Sequence, residues 1–524
     1  MRRHASGILP LAGQTSSGDE RARALRPSSE RTPTDLQLLL WIGAGTLVIH
    51  LLAGNRYGFN RDELAIVEDA RHLAWGYVAY PPLTPFLGRI ALTLFGTSLV
   101  GLRFFSALVQ AVGVVLTGCM AKEMGGRRAA QIVAAAAAVP FCLGAGAIMQ
   151  YISFDYFAWV LTAYFVVKLL TSDDPRYFLL IGASIGLGML AKYTMLFFAT
   201  GVLTGILLTD ARKYLRTPWP WLGLLLSLLL VAPNFLWQAH HHFVSYEFLR
   251  FIHHRDVSEG LTSNFLLGQL EMTLLSFPLW LAGIYFCLRT SPGRRFRPLF
   301  WMYLVTLLLF LVAQGRDYYL APAYPMLYAA GAVWLEGWLK GLQPRRAKLV
   351  TAGVCTALLV SILGAMAVAL PLAPIGSRWF HLADKVNVTL RDEVGWEEFV
   401  STLAKIRDSL PPQSRANLGI LVENYGEVGA VNLYGPARGL PRAISGVNSS
   451  WERGYGDPAP QTLIVAGFSR DFVDSHFTAC QLIAQVTNSY GVVNEETTER
   501  KEIFLCGPPR AGWPAFWQNF QYYA

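Results

Sequence analysis

The sequence predicts a mainly α-helical, polytopic transmembrane bundle followed by a small α/β domain. The chain has 524 residues, of which 53% are hydrophobic and only 15% are charged. Apolar runs recur along its first two thirds, each close to the ~20 residues that cross the hydrocarbon core of a bilayer. The last third instead alternates short apolar segments with amphipathic ones, a pattern typical of an α/β domain.

The apolar runs divide the chain into three parts. Spans are predicted at residues 37–54, 99–121, 129–149, 156–171, 178–191, 193–209, 219–237, 266–288, 299–314, 318–339 and 349–371. Residues 1–34 are polar and Arg-rich and lack the apolar core of a secretory signal, which predicts a disordered cytosolic tail. The predicted parts are therefore the tail at 1–34, a membrane domain at 35–375 with an outer loop at 55–90, and an outer domain at 376–524.

The stretch 178–209 leaves one alternative open. Lys192 and Tyr193 interrupt its apolar run. It is therefore either one bent helix or two helices that meet at Lys192.

Loop charges predict the orientation of the bundle. Lys and Arg concentrate in the N-terminal tail and in alternate loops, and the positive-inside rule places those segments in the cytoplasm. The net charge of +9 is accounted for by this orientation and does not indicate nucleic-acid binding. An odd number of spans then leaves the outer domain beyond the plasma (inner) membrane, in the periplasm or its equivalent.

With this orientation, five separate connections reach the same outer face. They contribute the acidic and aromatic segment Asn60–Pro82, Asp155, Lys192, the segment His240–His254 and Arg316. Ionisable side chains at the edge of the hydrocarbon are costly and are usually functional. Convergence of this kind is expected of a site for a charged substrate.

The acidic residues also have structural interpretations. Asn60 is expected to cap a helix that holds Asp62 and Glu63 in its first turn, with Glu63 at the capping-box position. Asp155 is also compatible with capping the fourth span.

The cationic and histidine residues have structural interpretations too. Lys192 is compatible with a lysine that snorkels to the interface, and Arg316 is compatible with a local ion pair to Asp317. The spacing of the histidines around His240 fits no standard zinc signature. The segment that they occupy is better explained as a polar loop over a substrate cleft, with Glu247, Arg250 and Arg255 sharing that role.

The charged residues predicted at the outer face suit a glycosyl transfer reaction better than transport. A carboxylate near cations at the outer face fits attack by an acceptor hydroxyl on a lipid-linked phosphosugar. The carboxylate acts as general base, and the cations neutralise the departing phosphate. The alternative is a transporter or flippase for a lipid-linked or anionic solute. Transporters place polar groups near the midplane between repeated halves, whereas these charges crowd one face.

An ordered set of segments resembles the GT-C superfamily of integral-membrane glycosyltransferases. The similar branch contains bacterial lipid A aminoarabinose transferases and protein O-mannosyltransferases (dolichyl-phosphate-mannose-protein mannosyltransferases). The similarity covers roughly residues 37–340. The segments are "FNRDELAIVEDARHLAWGYVAYPPL", "LFGTSLVGLRFFSAL", "LGMLAKYTMLFF", "PNFLWQ", "GQLEMTLLSFPLWLAG" and "DYYLAPAYPMLYAAGA".

The resemblance implies a GT-C bundle and a reaction. A hexosyl or pentosyl group is expected to move from polyprenyl phosphate, with inversion, to an acceptor hydroxyl or phosphate. The acceptor is lipid A, another envelope glycan such as lipopolysaccharide, or a protein. The expected partners are this donor, a lipid or glycan acceptor and membrane lipids.

The resemblance also implies roles for individual residues. Asp62 is the implied catalytic carboxylate, with Glu63 beside it. The implied contacts of the donor phosphate are Lys192, Arg316, Tyr318 and Tyr319. Asp155 and His240 are the candidates for contacting the acceptor or an optional divalent metal, and no cofactor is required. The segment "SFDYF" lacks the small or proline residue often found after the second acidic position, which weakens the role implied for Asp155.

The predicted outer domain has features of its own. "NLGILVEN", "TLIVAGF" and "EIFLCG" predict buried strands, and "WEEFVSTLAKIRDSL" predicts an amphipathic helix. Cys480 and Cys506 fall here, and an oxidising compartment would permit a disulfide that spacing alone cannot prove. The Gly-rich loop "GVNSSWERGYG" carries an aromatic residue suited to sugar stacking. The domain therefore either recognises the acceptor or covers the cleft.

Overall fold

The computed structural model describes residues 34–524, and the tail predicted at 1–34 lies outside the described residues except for its last position. Helices make up the first part of the described chain. They are α1 Leu36–Ala53, α2 Arg61–Arg71, α3 Leu83–Phe95, α4 Leu99–Glu123, α5 Arg128–Ala145, α6 Tyr151–Ser172, α7 Tyr177–Ala191, α8 Met195–Leu207, α9 Trp219–His240, α10 Val244–Ser258, α11 Phe265–Thr273, α12 Phe277–Arg289, α13 Arg297–Val312, α14 Tyr324–Lys340 and α15 Pro344–Ala369.

The predicted transmembrane bundle is confirmed. Eight helical segments within residues 34–524 are long and apolar enough to cross a membrane, or nine if one bent pair counts as a span. The predicted number of eleven is not established by length, because α7, α8 and α14 have only 15, 13 and 17 residues. These helices are shorter than the ~20 residues of an ordinary span.

The apolar stretch 178–209 forms two helices. α7 ends at Ala191 and α8 begins at Met195, and Lys192 between them has an extended backbone. α7 packs against α6 and α9, whereas α8 packs against α13. The break therefore leaves Lys192 outside both helices.

The predicted capping box at the start of α2 is confirmed. The Asn60 side chain accepts a hydrogen bond from the backbone N–H of Asp62 at 2.9 Å, and the Glu63 carboxylate accepts one from the backbone N–H of Asn60 at 2.9 Å. The side chains that perform the capping are those of Asn60 and Glu63. The Asp62 carboxylate is therefore not used in starting the helix.

The outer domain is a five-stranded sheet with short helices. Its elements are α16 Arg378–Val386, α17 Trp396–Ser409, α18 Pro412–Ala416, β1 Leu418–Val422, α19 Tyr425–Tyr434, β2 Ala443–Ile444, β3 Thr462–Ala466, α20 Arg470–His476, β4 Gln481–Gln485, α21 Glu495–Thr498, β5 Glu502–Cys506 and α22 Trp513–Gln518. The sheet order is β2-β1-β3-β5-β4; β1 is parallel to β2 and β3, and β5 is antiparallel to β3 and β4.

The outer domain packs directly on α2. A Cβ atom on Gly429 of α19 would lie only 2.4 Å from the carbonyl oxygen of Leu64 in α2. Only a residue without a side chain permits this approach of the two helices. In the same domain Cys480 and Cys506 form a disulfide.

Candidate active site

A cavity of ≈390 Å³ joins α2, the break between α7 and α8, α10 and the segment that follows α13. Three separate connections bring predicted site residues to it. These residues are Asp62, Lys192, Arg316, Tyr318 and Tyr319. The structure thus gathers a carboxylate, two cations and two phenols around one space, although they are distant in sequence.

Asp62 lies where this cavity meets a smaller one. The second cavity, of ≈90 Å³, shares Asp62, Tyr80, Tyr151 and Tyr425 with the first. Within residues 34–524, the one hydrogen bond to the Asp62 carboxylate comes from the Tyr425 hydroxyl, at 3.2 Å from Oδ1. Burial raises the pKa of Asp62, and the neighbouring Arg61 opposes that rise. A carboxylate with a raised pKa and little hydrogen bonding is suited to accept a proton.

Lys192 is surrounded by aromatic rings. Its Nζ lies 3.7 Å from the ring centroid of Tyr319, 5.4 Å from that of Tyr318 and 5.5 Å from that of Tyr151. Ring faces attract an ammonium group. Within residues 34–524 Lys192 forms no salt bridge, but its ammonium group interacts electrostatically with the buried Asp155 carboxylate. Lys192 also lines the cavity, where an anion would meet it.

Arg316 is held by a residue that sequence analysis did not identify. The Arg316 guanidinium donates two hydrogen bonds of 2.6 Å to the buried Asp256 of α10. The suggested local pair with Asp317 is wrong, because the Asp317 carboxylate instead accepts from the backbone N–H of Tyr318 at 2.7 Å. Arg255 lines the same cavity, and its guanidinium lies 3.5 Å from the same Asp256 carboxylate. Asp256 therefore holds two cations at this wall.

Glu63 is placed away from both cavities. Its carboxylate accepts hydrogen bonds from the Arg103 guanidinium at 2.7 and 2.8 Å and from the backbone N–H of Met149 at 2.8 Å. The side chain is fully buried. Glu63 does not line the cavity beside Asp62, and its contacts are those of a structural residue.

Asp155 and His240 do not line the two cavities either. Asp155 lies inside α6 rather than at its cap, which is Gln150, so the capping interpretation is wrong. The Asp155 carboxylate accepts from the Trp159 indole at 2.9 Å and from the Thr194 hydroxyl at 3.0 Å. His240 is exposed at the end of α9.

The optional divalent metal has no matching ligand cluster. Residues 34–524 contain no group of three or more His, Cys, Asp and Glu side chains that could hold a metal ion. Both carboxylate oxygens of Asp155 are already engaged. The arrangement therefore does not fit a metal centre, and the chemistry below uses none.

The comparisons with known proteins concern the fold. The apolar helical bundle with its small α/β domain is an ArnT-like fold of the GT-C type. The predicted resemblance is thereby confirmed. The family model named dolichyl-phosphate-mannose-protein mannosyltransferase matches residues 79–237.

Two solved structures show the likeness over nearly the whole chain. ArnT from Cupriavidus metallidurans bound to undecaprenyl phosphate is 14% identical, with a TM-score of 0.58 over 90% of this chain and 98% of that chain. The arabinofuranosyltransferase AftD from mycobacteria is also 14% identical, with a TM-score of 0.50 over 91% of this chain and 42% of that chain. No curated protein sequence matches the chain significantly.

Proposed function

We propose that the chain moves a sugar from a polyprenyl-phosphate donor to an acceptor hydroxyl at the outer face of the plasma membrane, with inversion at the anomeric carbon. The observation that carries this proposal is the single cavity shared by Asp62, Lys192 and Arg316 in a GT-C fold. Its support from the comparisons is that the ArnT structure holds undecaprenyl phosphate. The acceptor classes are lipid A, another envelope glycan or a protein.

The position of Asp62 suits a direct displacement. The donor phosphate would lie in the larger cavity, near Lys192 and Arg316, and the acceptor hydroxyl in the smaller one, with Asp62 at their junction. The hydroxyl oxygen attacks the anomeric carbon while its proton passes to the Asp62 carboxylate. The bond from that carbon to the phosphate oxygen breaks, and polyprenyl phosphate leaves on the opposite side. Attack and departure from opposite sides give inversion.

The cations stabilise the leaving group. Lys192 and Arg316 would face the negative charge that grows on the phosphate as the bond breaks, and Arg255 adds a third cation at the same wall. Charges fixed in place before the reaction lower its barrier without reorganising at that moment. The aromatic rings around Lys192 and the carboxylate of Asp256 hold two of these cations in position.

The smaller cavity has the polarity of an acceptor site. Its wall includes Asp69, Ser449, Ser450 and Arg453. Asp69 accepts a 2.6 Å hydrogen bond from the Tyr80 hydroxyl and forms an ion pair with Arg453. Hydroxyl and charged groups at this wall are able to hydrogen-bond a polar acceptor. A transporter or flippase needs no such base at the junction of two cavities.

The decisive experiment combines donors with acceptors. Purified protein would be incubated with polyprenyl-phosphate-linked hexoses, pentoses and amino sugars together with lipid A, core glycan or protein acceptors. Mass spectrometry is expected to show one acceptor gaining the mass of one sugar while polyprenyl phosphate is released. Movement of the intact lipid-linked sugar across vesicles, with no transfer product from any pair, would support the transporter instead.

Replacing Asp256 with Asn is expected to lower kcat/KM for the lipid-linked donor by about tenfold, a loss of ~1.4 kcal/mol. The loss should come from a higher KM and also from a lower kcat, because Arg316 faces charge that grows as the bond breaks. Asn offers one carbonyl oxygen where Asp offers two, so the guanidinium of Arg316 loses its bidentate hold. Steady-state kinetics against donor concentration measure the split between KM and kcat.

Asp317→Asn is the matched control, because Asp317 is adjacent to Arg316 but does not pair with it. Its KM should stay at the wild-type value. Equal increases in KM for the two variants would show that Asp256 has no specific positioning role.

A further inference from the structure

An open groove of ≈540 Å³ lies in the outer domain at the carboxyl ends of β1 and β3. These strands are adjacent and parallel, yet the chain goes from β1 to β2 on one side of the sheet and from β3 to β4 on the other. Ligands of open α/β sheets bind at such switch points. The groove shares no lining residue with the two cavities around Asp62. It is therefore a second candidate site.

At this groove the backbone of Gly467 lies unusually close to the buried carboxyl group of Glu427. Gly467, which lines it, has φ +85°, and a Cβ atom there would lie 2.8 Å from Oε2 of Glu427 and 3.0 Å from Oε1. The Oε1 atom is buried and has no hydrogen-bond partner in the described part of the chain. Burial raises the pKa of Glu427 to about 8. A polar group with unused hydrogen-bonding capacity therefore stands directly behind the groove wall.

One wall of the groove is aromatic. The rings of Phe468 and Phe472 are stacked with centroids 4.6 Å apart, and the centroid of Phe520 lies 5.9 Å from that of Phe468. Phe468 and Phe520 are buried, and Phe472 is half-buried because it also stacks on His476, with ring centroids 4.3 Å apart. The part of Phe472 that stays exposed gives the groove a small apolar surface for the C–H groups of a sugar ring.

The polar groups of the groove favour an uncharged ligand. Arg500 forms ion pairs with Glu423 and Glu495, so two carboxylates neutralise its charge. Glu499 adds an exposed carboxylate to the lining. An anion would meet net negative charge here.

Two amide side chains at the groove are available to a ligand. Asn519 and Gln521 line it, and their side chains form no hydrogen bond within residues 34–524. Amides both donate and accept. Together with the exposed part of Phe472, they match the hydroxyls and C–H groups of a neutral sugar.

The groove lies close to the candidate active site. Tyr522 lines the groove and Ala524 lines both cavities around Asp62, and two residues span at most ~7 Å. Arg500 also reaches the site through Glu495, which pairs with Arg61, the residue before Asp62. An extended glycan could therefore occupy both places.

We propose that this groove binds a neutral sugar unit of the acceptor, at a distance from the hydroxyl that reacts. The assignment of that sugar to the acceptor rests on the proposed glycosyl transfer, whereas sugar binding itself does not. The groove would thus select a glycan acceptor by a part of it that undergoes no chemistry.

Saturation-transfer NMR tests the binding on the full-length protein, in a detergent without a sugar headgroup. The probes are glucose, galactose, mannose, N-acetylglucosamine and their disaccharides. At least one is expected to bind, and the double variant Asn519→Ala/Gln521→Ala should weaken it at least fivefold. Gln518→Ala, an exposed amide in the same segment that does not line the groove, should bind as the wild type does.

The outcomes separate the two proposals. Sugar binding that persists in Asp62→Asn and weakens in the double variant supports the groove, even if no donor and acceptor pair gives transfer. Binding by none of the probes, or equal binding by the wild type and the double variant, overturns the groove and leaves the transfer reaction untouched.

Discussion

The Asp62→Asn variant is expected to lose about 10²- to 10⁴-fold in transfer rate, the usual contribution of a general base. Asn cannot take the proton of the acceptor hydroxyl, although it fills the same space. Stability should change by less than ~1 kcal/mol, because a charge in the first turn of a helix contributes no more than that. The capping of α2 is performed by Asn60 and Glu63. Single-turnover rates and thermal unfolding in one detergent measure both quantities.

The pH profile provides the control for this variant. A base is active when deprotonated, and burial raises the pKa of Asp62. The wild-type rate should therefore fall as pH decreases through that raised pKa. The residual rate of Asp62→Asn should lack this acidic limb. A limb that persists, or a parallel fall in rate and unfolding temperature, would assign Asp62 a structural role.

The sequence predicts those site residues whose location follows from the orientation of the helices in the membrane. Loop charges place Asp62, Lys192 and Arg316 on one side of the membrane, and the structure places all three around one cavity. Connections that emerge on the same face of a compact bundle have little area in which to separate. Their convergence therefore follows from topology, although their roles do not.

The residues that sequence analysis missed act through long-range contacts. Tyr425 reaches Asp62 across 363 positions, and Asp256 reaches Arg316 across 60. No periodicity encodes such a pairing, because it depends on how the outer domain and α10 pack over the bundle. Asp256 lies just after the predicted segment His240–His254, and nothing in the local pattern singles it out as the partner of Arg316.

The sequence predicts secondary structure correctly only where the apolar pattern is strong. The three predicted strands are present as β1, β3 and β5, each largely buried. β2 has only two residues, and β4 is mostly exposed, so neither forms an apolar run. The predicted span at 318–339 begins late as a helix, since residues Asp317–Ala323 form a 3₁₀ turn that contains Pro322. A pattern of apolar residues cannot distinguish that turn from α-helix.

The largest expected effect on stability belongs to Glu63. The Arg103 guanidinium donates to Glu63 at 2.7 and 2.8 Å and to Glu393 at 3.2 Å, and all three side chains are buried. Glu63→Gln is expected to cost about 3–5 kcal/mol, the usual result of removing one partner from a buried ion pair. Glu393 compensates only in part: burial still raises its pKa in the variant, although the Glu63 charge, a further cause of that rise, is gone. Thermal unfolding in detergent measures the loss.

Glu393→Gln is the matched control for Glu63→Gln. The pH dependence of its free energy of unfolding tests whether Glu393 is protonated in the folded state. Burial raises the pKa of Glu393 from 4.5 to about 7, so the folded state holds this proton more tightly than the unfolded state does. The corresponding stability is fully present below pH 4.5 and is lost as pH rises through 7. At pH 6 the control should therefore cost less than ~1 kcal/mol, and it should flatten the dependence of stability on pH. A Glu63→Gln variant that kept wild-type stability but lost transfer would instead make Glu63 catalytic, as the family resemblance implies.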